Sequence, residues 1–253
     1  MNLTPLLLCI CCCFTTSAYF FTSPHVWTKL ILTHHWPSTF CSMEHCHPNI
    51  SYWTVHGLWP DKGMDCNNSW HFNESLIEDL LPDMMKSWPD LLKPSTTSFW
   101  KYEWNKHGTC AARAQSLNSQ HKYFSKALEL YHKLDLDGVL RKFNIVPSKE
   151  YYSNEQLRWT CVDSLKFDDI EGAILKFYQV QPKIQCVQPG KGSQTQVLGQ
   201  IEICFNPEFQ LENCEKIEVD MAILGNSPKA AGFSVCDHTM PVYYPPLKRR
   251  TDV

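Results

Sequence analysis

The chain has 253 residues, of which 43% are hydrophobic and 19% charged, with a formal net charge of −3. That apolar share supplies a full core and argues against an intrinsically disordered chain. The slightly acidic balance excludes a globally basic nucleic-acid binder, so any contact with a polyanion has to be a local site.

At the N-terminus, Leu6 to Phe14 is apolar and Thr16-Ser17-Ala18 offers small residues for cleavage, which predicts a secretory signal over residues 1–18. No Lys or Arg precedes the apolar run. The run is too short to span a bilayer, and no later segment is long and apolar enough, so no membrane association is expected. Of 13 cysteines, Cys9, Cys11, Cys12 and Cys13 fall inside the signal and nine remain. An exported chain with that many cysteines is expected to form disulfides, with one thiol left over. Cys41 and Cys46, and Cys204 and Cys214, are near enough in sequence to close small loops, but the full connectivity does not follow from sequence. Beyond the expected signal no Cys-x-x-Cys pair is present, which argues against zinc. Asn49, Asn67 and Asn73 each open an Asn-x-Ser triplet, predicting a glycosylated surface region.

From residue 19 to residue 253 there is no repeat, low-complexity tract or long charged tail, so a single domain is expected. Leu30, Leu32 and His34 alternating with Ile31 and Thr33 predict a strand, and aromatic and β-branched residues from Tyr52 to His56 predict another. Asn73 is placed to cap a helix carrying Leu76, Ile77, Leu80 and Leu81 on one side, with Pro82 at its end. Phe124, Leu128 and Tyr131, widened by Ala127, Leu130 and Leu134, predict a longer helix. Val139, Leu140 and Phe143 predict a short one. Ile201, Ile203 and Phe205 alternating with Glu202 and Cys204 predict a strand. Helices in the middle and strands at both ends indicate an α+β domain with a mainly antiparallel sheet.

The chemistry concentrates in Phe99-Trp100-Lys101-Tyr102-Glu103-Trp104-Asn105-Lys106-His107-Gly108-Thr109-Cys110. If Phe99 to Ala112 is a helix, Glu103, Lys106 and His107 fall at i, i+3 and i+4 on one face. A second imidazole lies upstream in His56-Gly57-Leu58-Trp59-Pro60. Two imidazoles, an acid and a lysine suit phosphodiester cleavage. A base takes the 2′-hydroxyl proton, an acid protonates the departing 5′-oxygen, and a cation and donors stabilise the charged transition state. That scheme needs no metal and no cofactor. Alone, His56 reads as a buried core histidine and Glu103 with His107 as a helix-surface pair worth about 0.2–0.5 kcal/mol. Trp100 and Trp104 read as packing residues, His34 as a strand residue, and His35 as a core hydrogen-bonder.

These two segments resemble the active-site segments of the T2 family of secreted ribonucleases. The resemblance extends over nearly the whole mature chain, through His35-Trp36-Pro37, Cys110-Ala111-Ala112, Pro182-Lys183-Ile184-Gln185-Cys186, Gly199-Gln200-Ile201-Glu202-Ile203-Cys204 and Tyr243-Tyr244-Pro245-Pro246. It implies a ribonuclease T2-like α+β fold and a secreted, lysosomal or endoplasmic-reticulum-lumen endoribonuclease that acts on single-stranded RNA as a monomer. It also implies His107 as general base, His56 as general acid, and Glu103 and Lys106 as transition-state stabilisers. The residues implied in substrate binding are Trp59, as a base-stacking platform, with Asp61 as a hydrogen-bond acceptor, Phe99, Tyr102 and His34. The implied disulfides are Cys41–Cys46, Cys66–Cys110, Cys186–Cys236 and Cys204–Cys214, leaving Cys161 free for an intermolecular disulfide.

Three departures stand out. The family usually has a third histidine where this chain has Tyr102, and commonly a glutamine where it has His34. Arg158 to Phe167 reads as an insertion that carries Cys161. These motivate an alternative, a T2-fold binding or signalling protein with weakened catalysis. A metal-dependent hydrolase is the third reading, disfavoured because no His-Glu-x-x-His or similarly spaced ligand set is present.

Overall fold

A computed structural model describes residues 27–47, 49–148, 165–189, 193–214 and 232–247. The expected signal, Cys161 with most of the expected insertion, and Lys248-Arg249-Arg250 lie outside the described residues.

The centre is a sheet ordered β2-β1-β4-β3-β6, from β1 (Leu30–His35), β2 (Thr54–Pro60), β3 (Lys183–Val187), β4 (Gln196–Phe205) and β6 (Phe233–Val235). β5 (Leu211–Glu212) and β7 (Val242–Tyr243) pair with β4. Only β7 runs parallel to its partner; the other pairings are antiparallel. β1 and β4 are buried along almost their whole length, as strands packed on both faces must be. β2 starts two residues later than expected and continues through Trp59. Trp53 ends the preceding loop with its N–H on the Asp137 carboxylate, 3.1 Å away.

A bulge interrupts the β1–β2 ladder. Register passes from Thr33 opposite Gly57 to His34 opposite Val55, leaving His56 as the extra residue. In a regular strand, residues three apart point to opposite faces. The bulge cancels that alternation and brings His56 and Trp59 to the same face, with ring centroids 4.9 Å apart.

The helix expected after Asn73 is broken into pieces. Asn73 does cap, accepting the Ser75 N–H, but only for a 3-10 turn at Glu74–Leu76; a second turn covers Glu78–Leu80. Pro82 then sits in the first turn of α2 (Leu81–Ser87), where its missing N–H costs nothing. Two apolar pairs were too short a signal to distinguish one helix from successive turns.

α5 (Gln120–Leu134) and α6 (Leu136–Lys142) form where the apolar stripes place them. α5 buries Tyr123, Phe124, Ala127, Leu128, Leu130 and Leu134, and two of its phenols grip β2 and the loop before it: Tyr123 donates to the Leu58 carbonyl and Tyr131 to that of Trp53. α1 (Pro37–Glu44) follows β1, and α7 (Phe167–Tyr178) precedes β3. The disulfides are Cys41–Cys46, Cys66–Cys110, Cys186–Cys236 and Cys204–Cys214, the pairing the family resemblance implies.

The expected helix over Phe99–Ala112 exists, with an insertion. α3 (Ser98–Glu103) runs into a π-turn at Trp104–Gly108 and continues as α4 (Thr109–Ala111). Three indoles fix this rod to the body: Trp100 donates to the Trp88 carbonyl, Trp104 to that of Trp70, and Trp88 to that of His56. Trp100 and Trp104 are therefore packing residues, as read from the sequence.

Candidate active site

Two segments build the site. β2 supplies His56, Gly57 and Trp59; the α3–α4 rod supplies Phe99, Tyr102, Glu103, Lys106 and His107. Trp59 contacts both imidazoles. Its ring meets the edge of His56 at 4.9 Å and stacks on His107 at 5.2 Å, 30° from parallel. Its indole N–H donates to Glu103 Oε2 at 2.8 Å. Gly57 makes this approach possible: a Cβ there would lie 2.0 Å from Trp59 Nε1 and 2.4 Å from Glu103 Oε2. Phe99 and His35 flank His56, with centroids at 5.9 and 5.2 Å.

The π-turn adds one residue between Glu103 and the last turn. Such insertions recur at functional positions because they rotate the following side chains. Here Glu103 is buried, whereas Lys106 and His107 remain partly open. Lys106 Nζ donates to the Tyr102 hydroxyl at 2.7 Å and lies 5.0 Å from its ring centroid. Tyr102 itself is 49% exposed, at the rim.

Burial dominates the protonation equilibria. It pushes Glu103 up to about 8, against the opposing Trp59 N–H and the Lys106 charge. Burial lowers His56 to about 4; a side-chain hydrogen bond with Gln200 acts the other way, and Lys106 adds to the lowering. Burial, Lys106 and then His56 bring His107 down to about 3. Both histidines are half-buried as residues, but their Nδ1 atoms are fully covered and have no protein partner.

Two residues implied as substrate contacts have structural partners within the fold. His34 is fully buried on the opposite face of the sheet, its Nδ1 3.3 Å from the Ile201 carbonyl and its ring stacked on Tyr131. Its neighbour His35, not His34, points to the site, because alternation sends adjacent residues to opposite faces. Asp61 accepts from the Thr28 N–H, the Thr28 hydroxyl and the Lys29 N–H, so its carboxylate clamps the entry to β1. Trp59 gives one face to His107 and its N–H to Glu103. His35 is not the core hydrogen-bonder expected: it is 2% exposed and neither ring nitrogen has a partner. Gln200 beside His56 had no chemical signal in the sequence.

The ribonuclease T2 family model matches residues 27–214, spanning every residue of this constellation. The chain belongs to the ribonuclease T2 family. Ribonuclease T2 of Danio rerio is 58% identical over 237 residues, covering 90% of this chain and 92% of that protein. Ribonuclease T2 of Homo sapiens is 44% identical over 238 residues, covering 89% and 87%. The crystal structure of human RNase T2 superposes with a TM-score of 0.72 at 43% identity, covering 88% of this chain and all of that one. RNase NT in complex with 5′-AMP, at 24% identity and a TM-score of 0.65 over 87% of this chain and 98% of that one, shares the fold.

Proposed function

We propose that this T2-family endoribonuclease cleaves single-stranded RNA by transphosphorylation, leaving 2′,3′-cyclic phosphate ends, with the proton work divided between His107 and His56. The observation that carries this reading is the pair of imidazoles that both contact Trp59, each within 5.2 Å of its ring centroid, with Lys106 beside them.

Neutral His107 takes the 2′-hydroxyl proton, and the freed oxygen attacks phosphorus. Protonated His56 gives its proton to the departing 5′-oxygen. Lys106 neutralises charge on the non-bridging oxygens, its ammonium aimed by the Tyr102 hydroxyl. Glu103, raised to about 8, is a neutral acid at acidic pH and donates to a non-bridging oxygen while its other oxygen receives Trp59. With His56 at about 4, the free enzyme carries its general acid only under acidic conditions, and phosphate binding draws that value upward. The scheme uses no metal.

Four disulfides support a secreted, lysosomal or endoplasmic-reticulum-lumen setting. Exposure of Asn49, Asn67 and Asn73 supports glycosylation there. Tyr102 does not favour the non-catalytic reading, because its phenol orients Lys106.

The test is digestion of single-stranded RNA in EDTA at pH 5 and pH 7 with analysis of the product ends. Cyclic phosphate ends and faster turnover at pH 5 are expected. Loss of activity in EDTA, or 5′-phosphate ends, would refute the reading.

A further inference from the structure

We infer that Trp88 is a positioning residue for His56: its indole N–H latches the carbonyl of the bulged residue and so sets where that imidazole stands. The catalytic meaning rests on the proposed reaction, in which His56 is the general acid; the contact itself does not.

The extra residue of a bulge has no ladder partner of its own. His56 is that residue, since Gly57 pairs with Thr33 and Val55 with His34. A carbonyl covered without a donor is costly, so the bulge needs one from outside the sheet. Trp88 supplies it: Nε1 donates to the His56 carbonyl at 2.9 Å. With that donor gone, the strand gains by drawing His56 back into a regular ladder, which would turn His56 and Trp59 to opposite faces.

Local sequence places the latch. Pro89 disfavours helical backbone at the residue before it, so α2 ends at Ser87 and Trp88 leaves it at φ −133° and ψ 53°. Three further contacts fix the residue. Its N–H donates to the Met84 carbonyl at 2.8 Å, its carbonyl accepts the Trp100 indole N–H at 2.7 Å, and its ring meets Phe124 of α5 at 5.4 Å, 60° from parallel. Trp88 is fully buried, so it acts on the reaction only through its neighbours. Trp100 belongs to the α3–α4 rod that carries Glu103, Lys106 and His107. The contacts from Trp100 through Trp88 to His56 therefore tie the bulge to the rod a second time, besides the bond from Trp59 to Glu103. A misplacement of about 1 Å costs a catalytic group about 10²-fold, so a latch on its backbone bears on rate.

The experiment follows Trp88→Phe on an RNA dinucleotide and on uridine 3′-(4-nitrophenyl phosphate). The second substrate expels a phenolate that needs no proton, so it bypasses the general acid. We expect kcat to fall about ten- to hundredfold on the dinucleotide and to stay within about threefold on the aryl ester, with little change in KM on either. A core disturbed as a whole would misplace His107 as well and depress both substrates alike. Where His56→Ala shows the leaving-group dependence, equal losses on the two substrates in Trp88→Phe, or no loss on the dinucleotide, would reduce Trp88 to a packing residue and overturn the assignment. If Trp88→Phe does not fold, 3-benzothienylalanine at position 88 decides, because it keeps the shape of the indole and puts sulfur in place of the N–H; the same kinetic pattern is required of it. If His56→Ala itself shows no leaving-group dependence, the proposed reaction falls and the contact is judged by NMR. Displaced His56 ring signals in the position-88 variant, assigned by their loss in His56→Ala, keep the latch, and unmoved signals overturn it.

Discussion

Trp59 donates its indole N–H to Glu103 at 2.8 Å, and this bond joins the β2 half of the site to the helical half. It exists because Gly57 leaves the space open. In Gly57→Ala the new methyl would overlap both partners, at 2.0 and 2.4 Å. We expect kcat to fall by about 10²-fold, the scale of one lost transition-state donor. Gly172→Ala is the control: no atom lies within 4 Å of its Cβ position, and it sits inside α7. That change should stabilise by about 0.5–1 kcal/mol with kcat unchanged. Thermal melts and steady-state kinetics on the two variants make the comparison.

Glu103 ties stability to pH. Its folded value, about 8, lies above that of an unfolded glutamate, so the folded state holds the proton more tightly. The stability this contributes is fully present below about pH 4.3 and is lost as pH rises through 8. Glu103→Gln keeps a carbonyl to accept Trp59 but never ionises. Relative to the parent, its stability should therefore rise progressively from pH 4 to pH 8, reaching a gain of about 1 kcal/mol or more and raising the melting temperature with it. Its kcat should fall. A parent and variant whose melting curves run parallel across that range would show that Glu103 ionises normally.

Tyr102 sets the position of Lys106 without contributing charge. Tyr102→Phe removes the 2.7 Å bond to Nζ and keeps the ring beneath the ammonium. KM should rise about three- to tenfold, the value of one hydrogen bond, with a smaller change in kcat. Tyr102→His installs a group that is cationic in acid, so kcat/KM should increase at pH 5 and revert toward the parent at pH 7. Kinetics at the two pH values would reveal a pH-independent effect if the phenol acts only through packing.

His34 is a test of the face assignment. Its ring is held at about 4, below the unfolded value, mainly by burial. The fold therefore loses stability from this group as pH drops from 6.5 through 4. His34→Phe should leave kcat/KM within about twofold and should flatten the acid side of the stability curve. A large rise in KM would return His34 to the substrate side.

Much of the fold was legible because its signals are long. The apolar stripe of α5 and the alternation of β1 and β4 each persist over several repeats, enough to fix the element type. The segment after Asn73 was misread because four leucine and isoleucine residues fit one helix or two turns equally well. In the site, the residue set of the two motifs was legible and its geometry was not. Both motifs carry a one-residue insertion, the bulge at His56 and the π-turn at Trp104–Gly108, and neither alters composition or period in a way a regular template registers. The same limit explains His34: without knowing which face β2 and the rod cover, neighbouring histidines of opposite orientation read alike.

The division of labour between the two imidazoles is tested most directly by changing the leaving group. His56→Ala and His107→Ala should each lose about 10²–10⁴-fold in kcat on an RNA dinucleotide. On a uridine 3′-(4-nitrophenyl phosphate), whose phenolate departs without a proton, His56→Ala should recover to within about tenfold of the parent, while His107→Ala stays impaired because the 2′-hydroxyl still needs its base. Equal impairment of both variants on the aryl ester, or recovery of His107→Ala instead, would contradict the account.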